Sequence, residues 1–326
     1  WRLSRCLGCS RMERKTVVIA LGGNALQRQG EASAHAQQRV ADATARQLVP
    51  LILAGHRLVI VHGNGPQVGN IVLHEEAINT PEVPTFPLDT CVAMSQGAIG
   101  FWLQQALIDE FSRRRMHSVA STVVTQVVVD GNDSAFSNPT KPIGVFYKTK
   151  DEARAAANGR PFVFKEDAGR GWRRVVPSPK PQRIVEEYTV KAMIDAGVTV
   201  ITGGGGGVPV VETVSDGLEG VEAVIDKDFT AAVVADAIDA EALVILTAVD
   251  GAMVDYGKPT ARTIGRTNRQ EMQHYIDENQ FAPGSMLPKV QAALKFVEKP
   301  GRRAIIASLG SAEQALAGQV GTIVES

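Results

Sequence analysis

The chain has 326 residues, 44% of them hydrophobic, enough for one large α/β domain or a main domain carrying a smaller insert. Its 34 Lys and Arg against 35 Asp and Glu leave a formal net charge of -1, which excludes a global field for nucleic acid or an anionic membrane, so an anion must be bound by local arrangement. No apolar run approaches the ~18–20 residues of a membrane span, the first residues lack a secretion signal's apolar stretch, and three cysteines exclude a disulfide framework, so a soluble cytoplasmic protein is expected.

Residues 1–11, an irregular basic stretch before Met12, are expected to be a non-native or disordered extension outside the fold. Their CxxC, Cys6 and Cys9, lacks both the second pair of a zinc site and the preceding strand of a redox motif. "TVVIAL" and "RLVIV" (57–61) read as strands, and Val40, Thr44, Leu48 and Ile52 recur between them at helical spacing, which makes a βαβ unit. Pro50 is expected to kink or divide that helix. "AIGFWLQQALIDEF" reads as a helix leading into one long β-prone stretch, "SVASTVVTQVVVD" (118–130).

From Gly131 to about Pro181 the composition shifts to Pro, Gly, Lys and Arg with clustered aromatic residues, and helical periodicity fades except around 150–158. This segment reads as an inserted subdomain or lid. Alternation then resumes with a helix at 182–196, "VTVIT", a helix at 228–239, "ALVILT", a helix at 285–299, "RAIIAS" and a last strand "TIVE". The pattern predicts a mainly parallel sheet with helices on both faces and a ligand site at the carboxyl ends of its strands.

Three glycine-rich turns fall at such ends: "LGGN" (21–24), "HGNGPQVG" (62–69) and "TGGGGG" (202–207). One glycine pair is ordinary βα loop chemistry, but three after strands, two of them carrying Asn, point to an anion cradle. Neither GxGxxG nor GxxxxGK[ST] occurs, so the dinucleotide and P-loop fingerprints are absent. Lys141 in "NPTKPIG", Lys227 between Asp226 and Asp228, and Lys289 after a Gly-Ser turn supply candidate cations for phosphoryl transfer, which demands positioning and fixed charge. The basic run "FSRRRMHS" ends a helix and carries no ligand assignment. Six histidines show no HxH or HExxH spacing, so no metal held by protein side chains is expected.

The ordered set "ALGGNAL", "HGNGPQVG", "MSQGAIG", "NPTKPIGVFY", "EDAGRGWRRVVPSPKP", "GGGGGVPV", "GVEAVIDKD" and "GSMLPKVQAAL" resembles the carbamate kinases, a branch of the amino-acid kinase fold family, over nearly all of residues 15–326. The resemblance implies an open three-layer αβα sandwich with a mainly parallel sheet, one amino-acid kinase domain over 12–326 with 131–181 as its protruding lid, and a homodimer. It implies a transferase: reversible phosphoryl transfer between ATP and carbamate, with Mg2+ arriving on the nucleotide and carbamoyl phosphate plus ADP as the other side of the equilibrium.

By family role, Lys141, Lys227 and Lys289 surround the transferring group and Asp226 orients the lysines. Gly22, Gly23, Asn24, Gly63, Asn64 and Gly65 offer donors to the phosphates and the carbamoyl group. Gly204 and Gly205 line the phosphoryl-acceptor side, and they and Asp228 are grouped with the nucleotide site. Tyr256 is a candidate neighbour of adenine, with ordinary turn packing as the alternative. Where many kinases of this fold carry a lysine on strand one, this chain has Ala20, so Lys141 would bring the missing charge when the lid closes. Trp172 reads as structural, whereas Arg170, Arg173 and Arg174 either gate the phosphate entrance or fix the insert to the main domain. Alternative readings are a kinase for another small acyl phosphate or amino acid, and a non-catalytic nucleotide-binding regulator. The pathway that supplies carbamoyl phosphate is not legible.

Overall fold

The computed structural model describes residues 15–27, 31–157, 159–167, 169, 171–215 and 217–326. The expectation for residues 1–11, and the choice left open for Arg170, lie outside the described residues. The chain enters on β1 (Thr16–Leu21), buried at every position. Ser33 then starts α1 (Ala34–Leu53), its hydroxyl accepting the Ala36 N–H at 3.3 Å. Of the two outcomes expected at Pro50, division does not occur: α1 runs through it as one helix to Leu53. The proline removes one N–H donor from the ladder, but its carbonyl still accepts the Ala54 N–H at 2.9 Å, so the last turn closes.

After β2 (Arg57–His62), α2 (Gly65–Ala77) and α3 (Leu88–Arg113), the stretch expected to be continuous β splits into β3 (Val119–Thr122) and β4 (Gln126–Val129), which join different sheets. Gln96 of α3 pins the break, accepting the Thr125 N–H at 2.8 Å and donating to the Thr125 carbonyl at 3.0 Å. The insert follows as β5 (Lys141–Tyr147), α4 (Lys150–Ala157), β6 (Val163–Glu166) and β7 (Trp172–Val176), with an antiparallel sheet of its own in the order β5-β7-β6.

The helix expected from 182 starts later. Residues Pro181–Ile184 form β8, paired antiparallel with β4, and α5 (Glu187–Asp195) begins only after it. A long-range ladder has overridden the local helical pattern. Then come β9 (Val198–Ile201), β10 (Val208–Glu212), β11 (Leu218–Gly220), α6 (Lys227–Ala237), β12 (Ala242–Thr247), β13 (Met253–Val254), β14 (Arg262–Thr263), β15 (Arg266–Asn268), α7 (Arg269–Asp277), α8 (Met286–Phe296), β16 (Arg303–Ser308), α9 (Ala312–Leu316) and β17 (Thr322–Glu325).

The main sheet has eight strands in the order β15-β17-β16-β12-β1-β2-β9-β3, all neighbours parallel except β16 and β17. Alternation along β1 sorts its side chains between two cores. Val17, Ile19 and Leu21 pack with Leu48 of α1, Leu103 of α3 and Leu316 of α9, whereas Val18 and Ala20 face Val190 of α5, Ala231 of α6 and Ala293 of α8. This is the expected three-layer sandwich. Among the described residues no helix is long and apolar enough to cross a membrane.

Candidate active site

Because β1, β2, β9 and β12 run parallel, their carboxyl ends meet at one edge. The backbone ladder carries on into the turns: Gly22 N–H donates to the Leu246 carbonyl at 3.1 Å, Gly63 N–H to Leu21 at 3.2 Å, and Thr202 N–H to Ile60 at 2.9 Å. The glycine turns of the sequence are thereby brought side by side.

α6 delivers charge to that edge. Asp226 caps it, one carboxylate oxygen accepting the Asp228 N–H at 2.9 Å while the other accepts Lys141 Nζ from β5 at 2.7 Å. Asp228, 2% exposed, accepts Lys227 Nζ on Oδ1 and Lys289 Nζ on Oδ2, each at 2.8 Å. The Lys227 stem lies against Gly63, where an added Cβ would stand 3.2 Å from its Cδ. Three ammonium groups thus converge on two carboxylates whose oxygens are all engaged.

Burial alone would push the Asp226 carboxyl up, but the Lys141 and Lys227 ammonium groups outweigh it and hold the carboxyl well below the usual range. Burial also works against charge on Lys227, and there Asp228 and Asp226 win and raise its pKa. Lys289 goes the other way, lowered by burial and then by the neighbouring Lys227 charge, with Asp228 only partly compensating. An arriving phosphate would reverse that balance for Lys289.

The third glycine turn backs the second. Gly205 has φ of +66°, and a Cβ there would lie 2.1 Å from Asn64 Nδ2. Asn64, buried, donates from Nδ2 to Ser95 Oγ of α3 at 2.8 Å. Gly204 presses on the buried His62 ring, whose Nδ1 donates to the Gly63 carbonyl at 2.8 Å and whose Nε2 has no partner among the described residues. Burial, only partly offset by that hydrogen bond, lowers the His62 pKa to about 4, so the ring is neutral.

Beside Lys289 an apolar pocket of about 260 Å³ opens at the end of β12, lined among others by Thr247, Val249, Tyr256, Phe281, Met286 and Lys289 itself. Its size and lining suit a flat base, with a cation at the end nearest the lysine cluster. A wider depression of about 580 Å³ lies elsewhere, between α7 and α8, and touches none of the three lysines.

The amino acid kinase family matches residues 15–308 of the chain. "Carbamate kinase 1" of Enterococcus faecium is 52% identical over 296 residues, 90% of this chain and 94% of that protein. A carbamate kinase of Clostridium perfringens is 50% identical, covering 94% of this chain and 98% of its own. Among solved structures, carbamate kinase from Giardia lamblia bound to AMP-PNP superposes with a TM-score of 0.87 at 42% identity, covering 96% of this chain and 98% of that one. The chain belongs to the amino acid kinase family.

Within this family member the structure brings Lys141, Lys227, Lys289, Asp226 and Asp228 together, with Gly63 beneath them. Gly22, Gly63 and Gly65 are partly open and Gly23 is exposed, whereas Gly204 and Gly205 are buried behind His62 and Asn64. Asn24 lies in the short turn Gly23–Ala25. Asp226 bonds Lys141, while Lys227 and Lys289 bond Asp228, a carboxylate that the sequence grouped with the nucleotide site. Tyr256 stands 74% exposed on the rim of the apolar pocket. Arg173 donates to the Gly144 carbonyl of the insert at 2.9 Å, and Arg174 to Glu76 of α2 at 3.0 Å. Sequence reasoning missed Ser95, which sits in the quoted motif "MSQGAIG" but has no chemistry of its own until Asn64 meets it.

Proposed function

We propose that this edge carries reversible phosphoryl transfer between ATP and carbamate. The carrying observation is the convergence of Lys141, Lys227 and Lys289 on Asp226 and Asp228, between glycine turns on one side and an apolar pocket on the other. In the ATP-forming direction a terminal oxygen of ADP attacks phosphorus, the bond from phosphorus to the carbamate oxygen breaks in line, and carbamate leaves as an anion. No proton moves, so no side chain is needed as a base. Charge on the three equatorial oxygens is met by the ammonium groups, which the two carboxylates hold in place beforehand.

The pocket beside Lys289 takes the base, with Tyr256 against it. The turns at Gly22, Gly23 and Asn24 and at Gly63, Asn64 and Gly65 take the phosphates and the carbamoyl group. Gly205 acts behind them by holding Asn64, and Gly204 by holding the His62 ring. The oxygens of Asp226 and Asp228 are each already engaged by a lysine or a backbone N–H, and Mg2+ arrives on the nucleotide phosphates, which supply hard oxygen ligands.

The insert acts as the lid that brings Lys141. A homodimer forms on the outer face of α3, where Met94, Phe101 and Ile108 recur every seven residues, each at least 40% exposed. Phe101→Glu is expected to leave a monomer in sedimentation. A reducing cytoplasmic setting suits the buried free thiol of Cys91.

The test is ATP formation from ADP, Mg2+ and carbamoyl phosphate, beside acetyl phosphate and a control without enzyme. Turnover confined to carbamoyl phosphate is expected. Nucleotide binding without turnover, or equal use of acetyl phosphate, would overturn the reading.

A further inference from the structure

The insert does more than overhang the site: it is seated on α2, the helix that starts at the Asn64–Gly65 turn. At Gly69 a Cβ would lie 2.1 Å from the Gly144 Cα of β5, so the two backbones touch and Gly69 leaves no room for a side chain, while Gly144 sits at φ of +72°, where a side chain is strained. Ile143 and Val176 of the insert share a small buried cluster with Val68 of α2 and Val92 of α3.

Seven residues beyond Gly69, on the same face of α2, Glu76 Oε1 receives Arg174 Nη1 and Arg160 Nη1, each at 3.0 Å. The Glu76 and Arg174 side chains are 17% and 18% exposed, and the Arg174 guanidinium lies 3.5 Å over the Phe162 ring. These partly desolvated charges carry more weight than a surface pair. Arg174 stands opposite Ile143 in the β5–β7 ladder, and Val176, two residues on, stands opposite Lys141. Whatever fixes Arg174 therefore fixes the strand that presents Lys141.

We infer that Glu76 is a positioning residue: it latches the insert to α2 and thereby sets where Lys141 delivers its charge. The inference rests on the role proposed above for Lys141. One helix then joins two functions, its first turn bordering the acceptor loop and its last turn, about 17 Å away, holding the latch. A substrate that shifts the Asn64 turn shifts the lid seat with it.

The experiment is a double-mutant cycle on the full chain, with kcat and the KM for ADP read separately. Glu76→Gln keeps the side-chain volume and removes the charge. Expected are a fall in kcat of about tenfold or more, as a misplaced catalytic group costs, a KM for ADP within about twofold of wild type because the base pocket is untouched, and no further fall when Glu76→Gln is added to Lys141→Ala. Multiplying losses in the double variant, or an unchanged kcat in Glu76→Gln, would overturn the latch. If Glu76→Gln does not fold, Arg160→Gln removes the more exposed partner, and the same non-additivity with Lys141→Ala is required. Full activity in Lys141→Ala alone would instead defeat the reading of Lys141, and that is seen before Glu76 is altered.

Discussion

Lys227 and Lys289, 62 positions apart in the chain, share one buried carboxylate: each ammonium lies 2.8 Å from a different oxygen of Asp228. Neither lysine can swing away without leaving one oxygen of that buried carboxylate without its partner. Lys227→Ala and Lys289→Ala should each lose about a hundred- to a thousandfold in kcat, as for one preorganised donor to a transition-state oxyanion. Asp228→Asn should fall at least as far and also be about 3–5 kcal/mol less stable, because two buried ammonium groups lose the carboxylate they share. Steady-state ATP formation and urea unfolding check the two halves separately.

Gly205 holds Asn64 by having no side chain. Gly205→Ala would bring a Cβ into the Asn64 amide from a backbone at positive φ, displacing the bond to Ser95. The KM for carbamoyl phosphate should rise about tenfold or more, while the KM for ADP stays put. Ser95→Ala should move the same constant in the same direction by less.

Tyr256 is exposed on the rim of the apolar pocket, so it adds little to the core, and the proposed reading gives it a ligand contact. Tyr256→Ala should raise the KM for ADP about two- to tenfold, the range for an aromatic contact, with kcat unchanged. Tyr256→Phe should behave as wild type. An unchanged KM in Tyr256→Ala returns the residue to turn packing.

His62 makes stability fall in mild acid. Its folded pKa is lowered to about 4 from 6.5, so the unfolded chain takes up a proton below pH 6.5 that the native ring refuses. The contribution is full above pH 6.5 and is lost as pH falls towards 4, amounting to at most about 3 kcal/mol. His62→Asn, whose amide retains a donor for the Gly63 carbonyl, should flatten this limb when urea midpoints are compared between pH 7.5 and 4. Asp226 adds a separate loss at lower pH, since its depressed carboxyl must be protonated there.

Strands β1, β2 and β12 were legible because each is a short, nearly all-apolar run, and the glycine turns because chain geometry at a strand end leaves few other residues possible, whereas β15, Arg-Thr-Asn, carries no such signal. Division at Pro50 was expected wrongly because the buried side chains around it, Leu48, Val49 and Leu51, hold α1 together through tertiary packing that a local pattern does not show. Residues 118–130 and 181–184 misled because their partners are distant: Gln96 breaks the first stretch and β4 claims the second.

The sequence by itself determined the alternation of strands and helices, the three glycine turns, the lysines of the site and the family resemblance, since these follow from local periodicity, backbone freedom and ordered motifs. Only the tertiary structure decided which carboxylate holds which lysine, that Gly205 backs Asn64, and that Glu76 meets Arg174. Those pairings join residues far apart in the chain, and charge and hydrogen-bonding capacity carry no address until folding brings two groups within about 3 Å.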